Sequence, residues 1–515
     1  MRNKICLLSS LFVVLSTSVY AEPWVKPDDY GLRADIQQLA DAGIIQAPVT
    51  TYPLMWNSFI HDLNNIAPAS VSANLQDAFL RVKHRYKAEN QSTHGAQFSN
   101  FIASNTLSTT SFGATDTQKS EIAAAYTYLG ENVAAKIAIN RRTDGKNCLA
   151  EDKTTDDIVT QTPALTSCDD TSFDHSYLAY RLGNWVFRAG AVEQFWGPGV
   201  DNSLIMSGNA KPLPALSITR EKSNAFTTPW LSWIGPWSFT AQMAQLESSR
   251  AVPNALLWST RLNFRPLQQL EIAMSWSAQW AGDGQPSSAS DFFDLVTGGG
   301  ECVDGTDDCD SEQITRLGNQ MAGFDIRWSD TFFNHPFAFY ASAIGEDTSG
   351  GIKPVDRAYL FGVQTTQRLF KQNILINLEH IDTGVACSAT STTENCYYEH
   401  STYNSGYRYH GRTIGSTFDN DTQSLVLTVL GQLTNGNDWQ VKLRDIDYNS
   451  DNSDRYSNNP DLGHSITKTA QHSQQLEVRY RMLEFDGRLT LGALAAKNDT
   501  IDNTTSAFAK FEYNF

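Results

Sequence analysis

The chain has 515 residues, and its 56 acidic against 39 basic side chains give a formal charge of −17. Acidity of that size repels phosphate backbones, which excludes nucleic acid as a partner. Beyond residue 21 no stretch approaches the ~20 apolar residues a membrane helix needs, so helical spanning is excluded, whereas spanning by strands of ~9 to 11 residues is not.

In chain order, the first element is a leader. Arg2 and Lys4 precede an apolar run from Ile5 to Val14, and Val19-Tyr20-Ala21 ends on the small residue that signal peptidase requires. Residues 1–21 are therefore expected to be a signal peptide, and the mature protein to leave the cytoplasm. Cys6 lies inside the apolar run and is discarded with it. The remaining cysteines fall into close pairs, Cys148 with Cys168, Cys302 with Cys309 and Cys387 with Cys396. Such pairs in an exported chain predict local disulfides, and nothing near them has zinc-ligand spacing.

Residues 22–94 read as short amphipathic helices forming a periplasmic segment. Leu32, Ile36, Leu39 and Ala40 share one helical face that ends at Gly43, a C-cap glycine. Trp56, Phe59, Ile60 and Leu63 repeat the spacing, as do Val71, Leu75, Phe79, Val82 and Tyr86. The plain expectation is a helical unit packed on itself.

From about residue 95 the apolar period becomes two. Trp258, Thr260, Leu262 and Phe264 alternate with Ser259, Arg261, Asn263 and Arg265, and the same rhythm recurs in QLEIAMSWSAQW, WQVKLR and QLEVRYRM. The connections alternate between short turns, such as Gly183-Asn184 and Asn435-Gly436, and long Asp-, Ser- and Asn-rich loops at 143–173, 280–319, 381–421 and 448–472. That asymmetry predicts an all-β transmembrane barrel over 95–515, with about 18 antiparallel strands, long loops outside and short turns in the periplasm. The cysteine pairs then fall in outer loops after strands three, nine and thirteen. Residues 407–416 are read as loop, and residues 221–236 fit the short-turn pattern poorly. The chain ends with Phe511, Tyr513 and Phe515 on one strand face. This resembles the terminal signal read by the outer-membrane barrel insertion machinery, the alternative being an ordinary edge strand. The expected setting is the outer membrane of a Gram-negative bacterium, among lipid and lipopolysaccharide, with the barrel monomeric.

Between strands five and six lies EQFWGPG. Gly197-Pro198-Gly199 suits a type II turn, with Pro198 at its second position and Gly199 supplying positive φ at the third. Pro212 and Pro214 cannot occupy a central strand. Residues 193–214 therefore form a long, fairly apolar, irregular loop, expected to fold into the barrel mouth or lumen.

VEQFWGPGVDNSLIMSGNAKPLPALSITR at 192–220, supported by GIIQAPVTTYPLMW at 43–56, resembles the capsule assembly protein Wzi family, and the shared plan extends over essentially the whole mature chain. The resemblance implies a barrel of about 18 strands closed at its periplasmic end by the N-terminal helices. It further implies a lectin-like role, assembling or retaining capsular or related exopolysaccharide at the cell surface. The candidate contacts are Glu193, Gln194, Trp196, Asn209, Lys211 and Arg220. Trp196 can stack on a sugar face or pack the loop into the lumen. Arg220 and Lys211 can pair with polysaccharide carboxylates or balance Glu193, Asp201 and Glu221. Gln194 and Asn209 can meet hydroxyls or satisfy loop backbone.

No hydrolase, zincin, P-loop or dinucleotide motif is present, so an enzyme is not expected and no cofactor or metal is called for. The acidic loops 304–310 and 447–454 lack EF-hand spacing and read as solvated. The rival function is a channel for solute or polysaccharide, because the inward rows carry Arg261, Arg265, Arg479 and Arg481. Whether the lumen is blocked separates the two. A barrel enzyme acting on envelope lipid or glycan is a third reading.

Overall fold

The computed structural model describes residues 22–107, 109–113, 118–149, 165–297, 318–332, 335–348, 354–386, 394–400, 402–453, 469–484, 487–500 and 502–515. The leader, the acidic loop 304–310, and Cys302, Cys309 and Cys387 lie outside these residues.

Among the described residues, antiparallel strands from His94–Ala103 to Thr504–Asn514 close on each other, Phe508 pairing with Ala103. Leu165–Ser172 and Tyr177–Leu182 both pair with Val133–Leu149 and are two pieces of one strand, so the barrel has 18 strand positions. Residues 407–416 stay out of the wall: Arg408–Tyr409 and Arg412–Thr413 make a separate two-stranded hairpin.

The two-residue rhythm sorts side chains by medium. In Asp438–Tyr448 the outward Leu443 is 48% exposed, while its neighbours Lys442 and Arg444 are buried inside at 1% and 2%. Ile102, Ile122, Ile137, Leu178, Leu216, Phe324, Phe339, Phe361 and Leu425 extend an exposed apolar belt around the barrel. A closed ladder satisfies every backbone group between strands, which allows such a belt to face hydrocarbon. The protein is an outer-membrane barrel, and its short turns mark the periplasmic end.

The N-terminal helices are α1 (Tyr30–Asp41), α2 (Ile60–Asn64) and α3 (Ala73–Asn90). Gly43 follows α1 with φ of +72°. The helices share a core through Ile36, Leu39, Phe59, Leu63, Phe79 and Val82, but that core also takes in Phe112, Phe195, Leu375 and Leu430 from loops and wall. The expectation of a unit packed on itself is therefore corrected: α1 is buried all round, including Arg33, Asp35, Gln37 and Gln38. The reason is that the lumen supplies polar partners. Arg265 donates to the carbonyls of Ala40 at 3.0 Å and Ile45 at 2.8 Å. Arg327 pairs with Asp41 at 2.7 Å, and Arg481 and Arg488 pair with Asp29 at 2.8 and 2.7 Å. Arginines that would be costly alone in a closed lumen thus find a carbonyl at the C-terminal end of α1 and carboxylates at both of its ends.

The expected outer loop at 143–173 is corrected: the third and fourth strands extend into it, so Cys148 and Cys168 stand on adjacent strands, opposite Thr166 and Gly145 respectively, and Cys396 is disulfide-bonded.

Candidate functional site

The loop after the fifth strand (Trp185–Ala191) does not rise into solvent. Phe195–Trp196 pairs antiparallel with Thr51–Tyr52 of the N-terminal segment, and Gly197 N donates to Thr50 O at 3.0 Å. Beneath it, Arg33 of α1 donates to Gly199 O at 2.7 Å, its guanidinium 4.2 Å from the Phe112 ring and 4.8 Å from Phe195. The amides of Val200 and Asn202 donate to the two carboxylate oxygens of Glu379 at 2.6 and 3.0 Å, and the Tyr340 hydroxyl adds a third donor at 2.7 Å. Asp201 is then held by Lys442 at 2.6 Å and Arg444 at 3.1 Å, and Arg444 continues to Glu477 at 2.8 Å. Burial alone would raise Asp201, but the Arg444 and Lys442 cations keep its carboxyl below the usual range.

The turn differs from the expected type II geometry. Positive φ belongs to Gly197, at +145°, and not to Gly199. Gly199 is required for space: a Cβ there would lie 2.2 Å from Asn202 O. Curling the amides of residues 200–202 around one carboxylate brings the backbone too close for any side chain.

The six predicted contacts separate. Trp196 is 1% exposed, packed with Leu204, Ile205 and Met206, and its Nε1 donates to Gln194 at 3.1 Å, so neither partner presents a face to a ligand. Arg220 ends the sixth strand (Pro214–Arg220) at the opposite, periplasmic rim, stacked 3.7 Å over Trp237; against expectation Pro214 opens this wall strand opposite Ala191, a first position where proline is tolerated. Glu193, Asn209 and Lys211 do come together, on the wall of one polar cleft. Asn209 is tied there by its side-chain NH2 to Thr413 O at 2.9 Å, and Lys211 meets Asp170 at 2.5 Å.

The opposite wall of the cleft comes from strands two to four, through Glu121, Asn140, Arg142 and His175. Arg142 bonds Glu121 and Asp174, each at 2.5 Å. These residues escaped the sequence reading. Their only signal is the inward row of the two-residue rhythm, which does not say which rows will face the loop. Small residues, Ala123, Ala125 and Ala138, leave the room. Further down, Lys26 and Asp28 of the N-terminal segment floor the cleft, beside Lys136, which pairs with Glu22 at 2.7 Å.

The arrangement can bind a polyhydroxylated, partly anionic chain: cations, carboxylates and amides alternate along one concave surface. For metal, the grouping found among the described residues is Asp445, Asp447 and His472, on the exterior of the outer rim, with His472 Nδ1 2.7 Å from Asp447.

The model of the capsule assembly protein Wzi family matches residues 87–509. An uncharacterized 55.8 kDa protein in the cps region of Klebsiella pneumoniae is 28% identical over 362 residues, 70% of this chain and 65% of that protein, a little under two thirds of its length. Among solved structures, Escherichia coli Wzi, described as a carbohydrate-binding β-barrel outer-membrane protein involved in group 1 capsule assembly, superposes with a TM-score of 0.78 at 24% identity, covering 96% of this chain and 100% of that one. Pseudomonas aeruginosa OccK5 (OpdH) gives a TM-score of 0.43 at 9% identity, over 82% and 97% of the two chains.

Proposed function

The chain belongs to the capsule assembly protein Wzi family, and from that premise we propose that it is a non-enzymatic lectin of the outer membrane. It holds capsular or related polysaccharide at the cell surface through the cleft shared by Glu193, Asn209, Lys211 and strands two to four. The observation that carries this reading is the convergence on one concave surface of amides, cations and carboxylates from loop and wall. Arg142 and Lys211 suit the carboxylates of an acidic polysaccharide, and Asn140, Asn209 and Glu193 suit its hydroxyls. The E. coli relative is described as carbohydrate-binding, which agrees.

The test is a glycan-binding screen on purified wild-type protein and on the double variant Glu193→Ala, Lys211→Ala, with heat-modifiable gel migration as the folding control. We expect the variant to lose about tenfold in affinity for an acidic polysaccharide, the size of one charge-assisted contact. Equal binding by both proteins overturns the assignment of the cleft.

The channel reading keeps one supporting observation: the cleft runs from Lys211 on the outer side to Lys26 and Asp28 near the periplasmic end. A steady conductance of the full-length barrel in planar bilayers would favour it; silence favours the binder.

A further inference from the structure

The connection between the sixth strand and the seventh (Trp237–Gln245) is anomalous. Other periplasmic connections, at 130–132, 183–184, 268–269, 370–371 and 433–437, are short turns, whereas this one runs over 221–236. Its sequence is apolar at the tip, where Trp230 and, within a 3-10 turn at Ser232–Ile234, Trp233 stand at 72% and 64% exposure. Tryptophans left this open on the periplasmic rim of a membrane barrel have the distribution of interfacial anchors.

Beside them is a cation, Arg220. Arg220 pairs across the ladder with Trp185, and Leu216, two residue pairs away on the same face, points outward at 67% exposure, so Arg220 faces the lipid side. Its guanidinium is fixed over the Trp237 ring at 3.7 Å and donates to Trp237 O at 2.6 Å and Asn224 O at 3.1 Å. Phe226 stacks on the same aromatic group, 4.8 Å from Trp237. Among the described residues no carboxylate pairs with Arg220. Lys222 next to it is exposed, while the intervening Glu221 is buried and turned to Asn57 at 2.7 Å and Arg181 at 3.3 Å. In a chain of net charge −17, two cations that no carboxylate among the described residues pairs with, under an aromatic tip, are a local reversal of sign.

We propose that Arg220, Lys222 and the Trp230–Trp233 tip form a binding site for the phosphate of an anionic phospholipid in the periplasmic leaflet. The guanidinium is preorganised by stacking and by two carbonyls, and its remaining N–H groups meet a phosphate oxygen. The indoles sit at the level of the glycerol backbone and fix the depth of the site. Basic side chains at a membrane interface select anionic over zwitterionic headgroups by about fivefold for each charge engaged. Lipopolysaccharide occupies the other leaflet and is out of reach, and a soluble phosphate gains nothing from the indoles.

The experiment reads tryptophan quenching in the full-length protein reconstituted with brominated phosphatidylglycerol or brominated phosphatidylcholine, mixed into unlabelled lipid. Wild type should be half-quenched at a several-fold lower fraction of phosphatidylglycerol than of phosphatidylcholine. Arg220→Gln should cut the preference about fivefold, while Arg220→Lys, which keeps the charge, should cut it less. Trp230→Phe with Trp233→Phe should remove most of the lipid-selective signal. Equal curves for the two lipids in wild type overturn the proposal, as does an unaltered preference in Arg220→Gln with normal heat-modifiable migration. Abolition of the preference by inorganic phosphate would reassign the site to the free anion and overturn it as well.

Discussion

Glu379 has no exposed surface, and the groups that hold its carboxyl are mostly backbone: the amides of Val200 and Asn202 and the Tyr340 hydroxyl. The turn therefore closes around a carboxyl group without needing an arginine bonded to it. Glu379→Gln keeps the shape but turns one acceptor into a donor facing donors, which should cost about 1 to 3 kcal/mol. A lowered unfolding midpoint, read by heat-modifiable migration, checks it; an unchanged midpoint would mean the amides find other acceptors. Gly199→Ala should destabilise by a comparable amount, about 1 to 3 kcal/mol, because its Cβ meets a backbone oxygen that cannot swing away. Breaking the buried group around Asp201 is costlier. Asp201→Asn leaves Lys442 and Arg444 short of a counter-charge and should lose about 3 kcal/mol or more.

At the scale of elements, the N-terminal segment is bound to the wall by ions as well as by its apolar core. Burial would raise Glu22, but Lys136 and Lys26 lower it to about 2; burial would likewise raise Asp29, which Arg481 and Arg488 hold far below the usual range. A carboxyl depressed in the folded state contributes stability above its unfolded pKa and loses it as pH falls towards the folded one. Docking of residues 22–90 should therefore weaken progressively below about pH 4.5, with Glu22 losing its contribution between there and about pH 2. Proteolytic access to the segment between pH 7 and 3 measures this, and Glu22→Gln should flatten the profile. Deleting residues 22–90 should convert a silent barrel into a conducting one in planar bilayers, because α1 and its arginine partners occupy the periplasmic mouth.

For the whole molecule, the membrane enforces the sorting of side chains. Leu443→Arg, near the middle of an outward row, should cost about 2 to 4 kcal/mol in a bilayer, while the arginine one residue later is native and paired. Refolding yield into vesicles at increasing urea checks the difference. The strand rhythm, the alternation of short and long connections and the anomalous 221–236 segment are all legible in the sequence, because each is a local consequence of having hydrocarbon on one side and water or protein on the other. The interruption of the fourth strand at 173–176 is not, since it depends on two segments sharing one neighbour.

The sequence by itself determined the architecture class and the motif that ties the chain to its family, since period, turn chemistry and loop length act over a few residues. Only the tertiary structure decided which polar residues meet. Trp196 went into the core, Arg220 to the lipid-facing rim, and Arg142 and His175 into the cleft beside Lys211. The physical reason is that curvature and register bring together rows hundreds of residues apart, and the partners of a charge in a closed lumen are set by that closure and not by its neighbours along the chain.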